Sequence, residues 1–338
     1  MIMTIFNEWI KVKYNIRVKG IIMEIQKFKI FRDKTMKSIS KVIIGKENVI
    51  DKIIVSFIAS GHVLLEDVPG LGKTKLCKTL SRTMNCSFKR IQFTPDLLPS
   101  DLTGIYFYNQ QSKEFEFREG PLLSQIVLAD EINRATPRTQ SALLECMEER
   151  QITVEGNTIK LKRPFFVIAT QNPVEQFGTF PLPEAQLDRF FMRLSMGYPS
   201  YDEEVRMMDR FIEADPLASL EAVITMDEIN YVQDNYNKVH VDEEIRRYIV
   251  DLVNATRTNS EIELGCSPRA TLNLMKGCQA LAAIRERDYV ILEDVKELTV
   301  PIMSHRIILK SEINSGSEKS DRVIQSILAT VETPIDRQ

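Results

Sequence analysis

No charge of one sign dominates this chain. Its 338 residues carry 44 Lys and Arg against 47 Asp and Glu, a formal net charge of −3. That argues against a protein held to nucleic acid by bulk charge, although a local basic patch stays compatible with it. Cysteine is sparse. Cys77, Cys86, Cys146, Cys266 and Cys278 are scattered, odd in number and form no Cys-x-x-Cys pair. A zinc site or a disulfide framework is not expected, and a reducing cytoplasm is the default compartment. No apolar run approaches the roughly 20 residues needed to span a membrane. The N-terminal stretch is basic and holds the single tryptophan, Trp9, but lacks a clean apolar core and a small-residue cleavage site. It reads as a poor signal peptide, with Met23 as a candidate start.

What is present suits two domains with real cores: 43% of residues are apolar and 27% charged. From about residue 35 the pattern alternates between helix and strand. "KENVIDKIIVSFIAS" has helical spacing of Val49, Ile50, Ile53, Ile54 and Phe57, with Gly61 expected to end the helix. "HVLLE", "FKRIQFT", "SQIVLADE" and "PFFVIATQN" read as strands, the first buried on both faces. Helices fall between them, including "PRTQSALLECMEE", with Ala142, Leu143, Cys146 and Met147 on one side. Such alternation predicts a parallel sheet covered on both faces. Two segments interrupt it, 104–122 and 150–164, and both read as β-hairpins. After Tyr198-Pro199 amphipathic helices take over to about residue 310, followed by a polar Gly/Ser break and a short final helix.

The chemistry begins at "EDVPGLGKTKL". The standard phosphate loop is Gly, four residues, then Gly-Lys-Ser/Thr. Counting back from Gly72, Lys73 and Thr74, the first Gly should stand at 67, where this chain has Asp67. If the Asp67 side chain turns to solvent, it costs the loop little. Backbone N–H groups around Gly70 and Gly72 and the N-terminus of the next helix can cradle phosphate. Lys73 is placed to reach the β- and γ-phosphates, and Thr74 to bind Mg²⁺.

"IVLADEINRA" puts Asp130 and Glu131 where a strand should end, and parallel sheets bind ligands beyond those ends. Asp130 suits Mg²⁺ with its water shell, and Glu131 suits polarising the attacking water. In "VIATQNP", Asn172 reaches the same edge and can hydrogen-bond the γ-phosphate and the water. Arg189 and Arg134 are alternative candidates for an arginine contacting the γ-phosphate, and the sequence does not choose between them. Arg269 falls in the first turn of a helix after Ser267-Pro268, where a positive charge opposes the helix dipole. An anion facing it would explain it.

These motifs, with "ADEINRATPRTQSALLECMEERQITVEG", "FFVIATQNPVEQFGTFPLPEAQLDRF" and "SPRA", resemble in order those of the MoxR family of AAA+ ATPases, over about residues 36 to 310. The resemblance implies an α/β fold: a P-loop αβα core with a parallel sheet and β-hairpin insertions, then a small all-α lid. It divides the chain into an N-terminal extension and first helix (1–35), a nucleotide-binding core (36–198), a helical lid (199–310) and a tail (311–338). It tolerates an acidic residue at position 67. It implies Lys73 and Thr74 as Walker A, within a nucleotide-binding run of Val68, Pro69, Gly70, Leu71, Gly72, Lys73, Thr74 and Lys75. Asp130 and Glu131 match Walker B, Asn172 sensor 1, Arg189 the trans-acting finger and Arg269 sensor 2. Ile44 and Gly45 match an adenine pocket; by spacing alone they end a β-like apolar run.

The resemblance further implies ATP or ADP and Mg²⁺ as ligands and a ring, usually a hexamer, with ATP between neighbours. Expected partners are client proteins, including those with a von Willebrand factor A domain, and expected roles are maturation or metal insertion. A nucleic-acid motor of a related AAA+ clade is the rival reading, but only the second hairpin is basic, through Lys160, Lys162 and Arg163. A slow ATP-dependent binding switch is the third.

Overall fold

The computed structural model describes residues 25–172, 178–213, 216–310 and 317–334. Trp9, Met23 and the N-terminal stretch lie outside these residues. A helix over 25–39 (α1) is followed by α2 (Glu47–Ile58), β1 (Val63–Glu66), α3 (Lys73–Thr83) and β2 (Phe88–Gln92). The short α4 (Pro99–Thr103) leads into a hairpin of β3 (Gly104–Asn109) and β4 (Glu114–Glu119). Next come β5 (Ile126–Asp130), α5 (Pro137–Glu149) and a second hairpin, β6 (Gln151–Val154) with β7 (Asn157–Lys160). β8 (Phe166–Gln171), α6 (Glu184–Leu187) and β9 (Met192–Leu194) complete the core. The second half holds α7 (Tyr201–Glu213), α8 (Met226–Asn235), α9 (Glu243–Thr258), β10 (Ile262–Leu264) and α10 (Pro268–Ile284). It ends with α11 (Leu292–Met303), β11 (Ile308–Leu309) and α12 (Ser317–Thr330).

The central sheet has strand order β2-β5-β8-β1-β9, and every pairing in it is parallel. Its strands read as continuous apolar runs because both faces are covered. The two-residue period sorts each strand between two cores. Val63, Leu65, Ile126, Leu128, Phe166 and Ile168 pack with Ile50, Ile53 and Phe57 of α2 and with Leu76 and Leu80 of α3. Leu64, Val127, Ala129, Val167 and Ala169 pack on the other face with Leu143, Leu144 and Met147 of α5 and with Ile152 of the second hairpin. The first core runs without a break into the helical half through Leu252, Leu274, Leu298 and Ile302. The lid and the sheet are therefore joined by apolar packing, the dominant favourable term in folding.

One strand is added to the expected four, and two expectations change. β9 was not legible: at three residues on the sheet edge it is too short for a periodic signal, and it forms because Met192 and Leu194 pair with Val63 and Leu65 of β1. The apolar run before Gly45 is not β-like but a series of turns after α1. Gly61 does not supply a left-handed helix end. Ser60 does, at φ 54°, while Gly61 is there because an added Cβ would sit 2.3 Å from the Phe191 Cβ. The lid also carries a small antiparallel ribbon, with Ile262 opposite Leu309. The final helix, α12, packs back on the lid with Val323, Ile324 and Ile327 buried.

Candidate nucleotide site

β1, β5 and β8 run in the same direction, so Glu66, Asp130 and Gln171 finish on one edge of the sheet. Between β1 and α3 the loop turns through Gly70 at φ 88° and Gly72 at φ 82°. A Cβ at either glycine would meet nothing within 4 Å, so the requirement there is left-handed backbone and an open mouth. Gly72 caps the 11-residue α3, whose N-terminal N–H groups face that mouth with the positive end of the helix dipole. The Lys73 ammonium donates to the Asp67 carbonyl at 2.8 Å. Burial lowers its pKa, and the negative charges of Asp67, Asp130 and Glu131 oppose that fall.

An open cavity of about 410 Å³ brings Pro69, Gly70, Leu71, Gly72, Lys73, Thr74 and Lys75 together with Asp130, Glu131 and Asn172. Asn172 is buried just past β8. Two residues without a role in the sequence reading, Arg90 and Thr170, line the same cavity. The Thr170 hydroxyl donates to Oδ1 of Asp130 at 2.6 Å and accepts the Glu131 backbone N–H at 2.8 Å. Nε and Nη2 of Arg90 donate to Oδ2 of Asp130 at 3.0 and 2.6 Å. Glu131 sits in left-handed backbone, φ 57° and ψ 50°, a strained conformation for a residue with a side chain. Its Oε2 accepts from Gln92 at 2.7 Å and pairs with Nε of Arg134 at 3.2 Å. Thr170 and Arg90 carry no motif spacing. Only the register of β5 with its two neighbours brings them to Asp130.

Asp67 does not turn to solvent. Its side chain is buried, accepting from the Ser195 hydroxyl at 2.7 Å and from the backbone N–H of Met196 and Gly197 at 2.8 and 3.1 Å. The residue that breaks the phosphate-loop pattern ties the loop to the exit of β9.

Beside the loop lies an apolar cavity of about 130 Å³ walled by Val42, Ile43, Ile44, Met196, Pro199 and Met207, with Gly70, Gly72 and Lys75 at its edge. Arg210 closes it by donating to the carbonyls of Ser40 and Lys41 at 2.7 and 2.9 Å. Gly45 is adjacent at φ 67°, where a Cβ would collide with the Glu203 carboxylate. Val68 faces elsewhere, into a polar cavity between loop and lid that also holds Glu66, Arg193 and Asp321.

Arg189 and Arg269 do not line the loop cavity. They stand together on a different cleft, both paired with Glu148, with Arg189 Nε at 3.0 Å. The anion opposite Arg269 in this chain is thus a protein carboxylate, with Asp188 a second at 3.8 Å. Asp188 also accepts from the Ser267 cap at 3.0 Å and from the buried Arg306 at 2.8 Å, fixing the start of α10 against the core.

The residues at the loop fit a nucleotide with its metal. A phosphate cradle with a lysine, a hydroxyl beside a strand-end carboxylate and an apolar slot meet at one sheet edge. A parallel five-stranded sheet with this loop, this acidic strand end and a helical lid defines an AAA+ ATPase. Residues 62–192 match the family model for the ATPase family associated with various cellular activities (AAA), and residues 254–327 that for the AAA lid domain. The uncharacterized protein YeaC of Bacillus subtilis is 46% identical, over 90% of this chain and 95% of that one. Chaperone MoxR1 of Mycobacterium tuberculosis is 37% identical, over 89% and 82%. A crystal structure from Cytophaga hutchinsonii superposes with a TM-score of 0.83 at 40% identity, over 91% of this chain and 97% of that one. The chain belongs to the MoxR family of AAA+ ATPases.

Proposed function

We propose that this protein is an Mg²⁺-dependent ATPase that assembles as a hexameric ring and acts as a chaperone on partner proteins. The observation that carries the ATPase reading is the convergence of Lys73, Thr74, Asp130, Glu131 and Asn172 on one cavity. The loop N–H groups and Lys73 bind the β- and γ-phosphates, and the slot at Ile44 takes the adenine, with Gly45 shaping its rim. Thr74 and Asp130 would hold Mg²⁺ with most of its water shell; when bound, the ion supplies neutralising charge at the phosphates. Glu131 orients the attacking water and accepts its proton, and Asn172 holds water and γ-phosphate in line.

Ring assembly is supported by the position of Arg189, which stands outside the chain's own loop cavity and is free to serve a neighbouring copy's phosphate; Arg269, beside it on Glu148, is kept as the sensor 2 candidate. Arg134 is paired in cis with Glu131, which makes Arg189 the better trans candidate. The chaperone reading rests on the relative named Chaperone MoxR1. Clients with a von Willebrand factor A domain, metal insertion, complex maturation and a cytoplasmic location are part of the proposal, as are the core at 36–198 and the lid at 199–310. Among the described residues, no helix is long and apolar enough to cross a membrane. The nucleic-acid motor is less favoured. In the basic hairpin segment Arg163 is paired with Asp234 at 2.8 Å, and the other insert ends in an exposed Phe115 flanked by Glu114 and Glu116.

The test is ATP hydrolysis by wild type and Glu131→Gln with Mg²⁺ present. A fall of about 100-fold or more in the variant, with nucleotide still bound, supports Glu131 as the base. An unchanged rate rejects it, and a wild type that binds ATP without turnover selects the slow switch.

A further inference from the structure

Asp130 has its two carboxylate oxygens committed in different ways. Oδ1 takes the Thr170 hydroxyl, whose orientation is fixed by the Glu131 N–H it accepts. Oδ2 takes two N–H groups of Arg90. Arg90 stands on β2, an edge strand, and lines the same cavity as Lys73 and Thr74. The side chains of Arg90 and Asp130 are 46% and 16% exposed, so the pair opens on the cavity and not on the interior. Arg90 is half-exposed, so solvent screens its side of the pair and the guanidinium can swing off Asp130 without leaving the cavity.

We propose that Arg90 is a phosphate ligand held in reserve on Asp130. A divalent cation arriving at Asp130 displaces it, and the freed guanidinium takes oxygens of the terminal phosphate. This rests on reading the cavity as an ATP site. Charge supports the exchange, because a dication and a guanidinium repel at one carboxylate oxygen in a partly buried site. Shape supports it too, because the planar fork of arginine matches two phosphate oxygens as well as it matches a carboxylate. Position supports it a third time. Nη2 of Arg90 also donates to Gln92 at 2.7 Å, on the same face of β2, so the guanidinium keeps an anchor when it leaves Asp130.

A non-hydrolysable fluorescent ATP analogue is titrated into wild type, Arg90→Gln and Arg90→Lys at a series of Mg²⁺ concentrations. In Arg90→Gln the Mg²⁺ concentration for half-maximal binding falls about threefold or more, because no cation competes for Oδ2. At saturating Mg²⁺ the same variant binds the analogue roughly tenfold more weakly, because a charge-assisted contact is gone. The two effects have opposite signs, which a merely structural salt bridge does not produce. Arg90→Lys keeps the competing charge without the fork, so its Mg²⁺ requirement stays near wild type while its affinity falls. An unmoved Mg²⁺ requirement in Arg90→Gln, or undiminished affinity at saturating Mg²⁺ in either variant, overturns the exchange. If Arg90→Gln does not fold, the affinity of Arg90→Lys decides. A wild type that does not bind the analogue overturns the ATP reading itself, and this proposal with it.

Discussion

The Asp67 carboxylate accepts the backbone N–H of Met196 at 2.8 Å, joining the first residue of the phosphate loop to the chain leaving β9. Met196 also walls the apolar cavity beside the loop. One acidic side chain thus ties the loop's entry to a wall of the apolar cavity beside it. Asp67→Gly, which restores the standard loop pattern, leaves the N–H groups of Met196 and Gly197 without their acceptor. The expected loss is about 2–3 kcal/mol of stability, read as a lower denaturant midpoint at unchanged slope. Nucleotide affinity falls as well. A variant as stable as wild type shows that the carboxylate is dispensable.

Thr170→Val keeps the shape of the side chain and removes the hydroxyl that Asp130 and Glu131 share. A partly buried N–H then loses its partner and Asp130 loses its inward restraint, for about 1–2 kcal/mol. The variant should fold, bind ATP and need more Mg²⁺ for half-maximal hydrolysis. A Mg²⁺ requirement equal to wild type removes Thr170 from the metal site.

Arg189 is held on Glu148, outside the chain's own loop cavity. Arg189→Ala and Glu131→Gln should each abolish hydrolysis alone. Mixed in equal amounts, they should regain activity at about a quarter of the sites of a randomly assembled ring, where an intact Glu131 meets a neighbour's intact Arg189. Wild-type hydrolysis per subunit should also climb with protein concentration. A mixture with no recovered activity places Arg189 in cis or outside catalysis, and native mass spectrometry counts the subunits.

His62 and His305 are buried and neutral. His62 Nδ1 accepts from the Val167 N–H at 3.0 Å, and burial holds both pKa values well below the ordinary value of 6.5. The unfolded chain binds a proton at each histidine below about pH 6.5 and the folded chain does not, so stability falls as pH drops from there, by up to about 1.4 kcal/mol per pH unit for each. On the alkaline side burial pushes the thiols of Cys266 and Cys146 up to about 11 and about 12, from 9.0. The folded chain keeps those protons while the unfolded chain loses them, so stability also falls as pH rises above 9. Thermal midpoints across pH 5 to 10 should form a plateau between roughly 6.5 and 9. A midpoint that stays flat through pH 5.5 contradicts burial of the histidines.

The sequence by itself determined the layered fold and the motif residues that line the loop cavity. Four strand runs, the two hairpins and the amphipathic helices follow from local period, because a side chain's face repeats every two residues in a strand and 3.6 in a helix. The phosphate loop was legible because Gly70, Gly72, Lys73 and Thr74 are adjacent in the chain, and Asp130, Glu131 and Asn172 because parallel strands end on one edge. Only the tertiary structure decided the rest. The short β9 exists through pairing with β1 and has no periodic signal of its own. The inward turn of Asp67 depends on donors 128 to 130 residues away. The grip of Arg90 and Thr170 on Asp130 spans 40 residues and depends on strand register. The grouping of Arg189 and Arg269 on Glu148 depends on how the lid packs against the sheet. Hydrogen bonds between residues far apart in sequence leave no mark on local pattern, and each of these is of that kind.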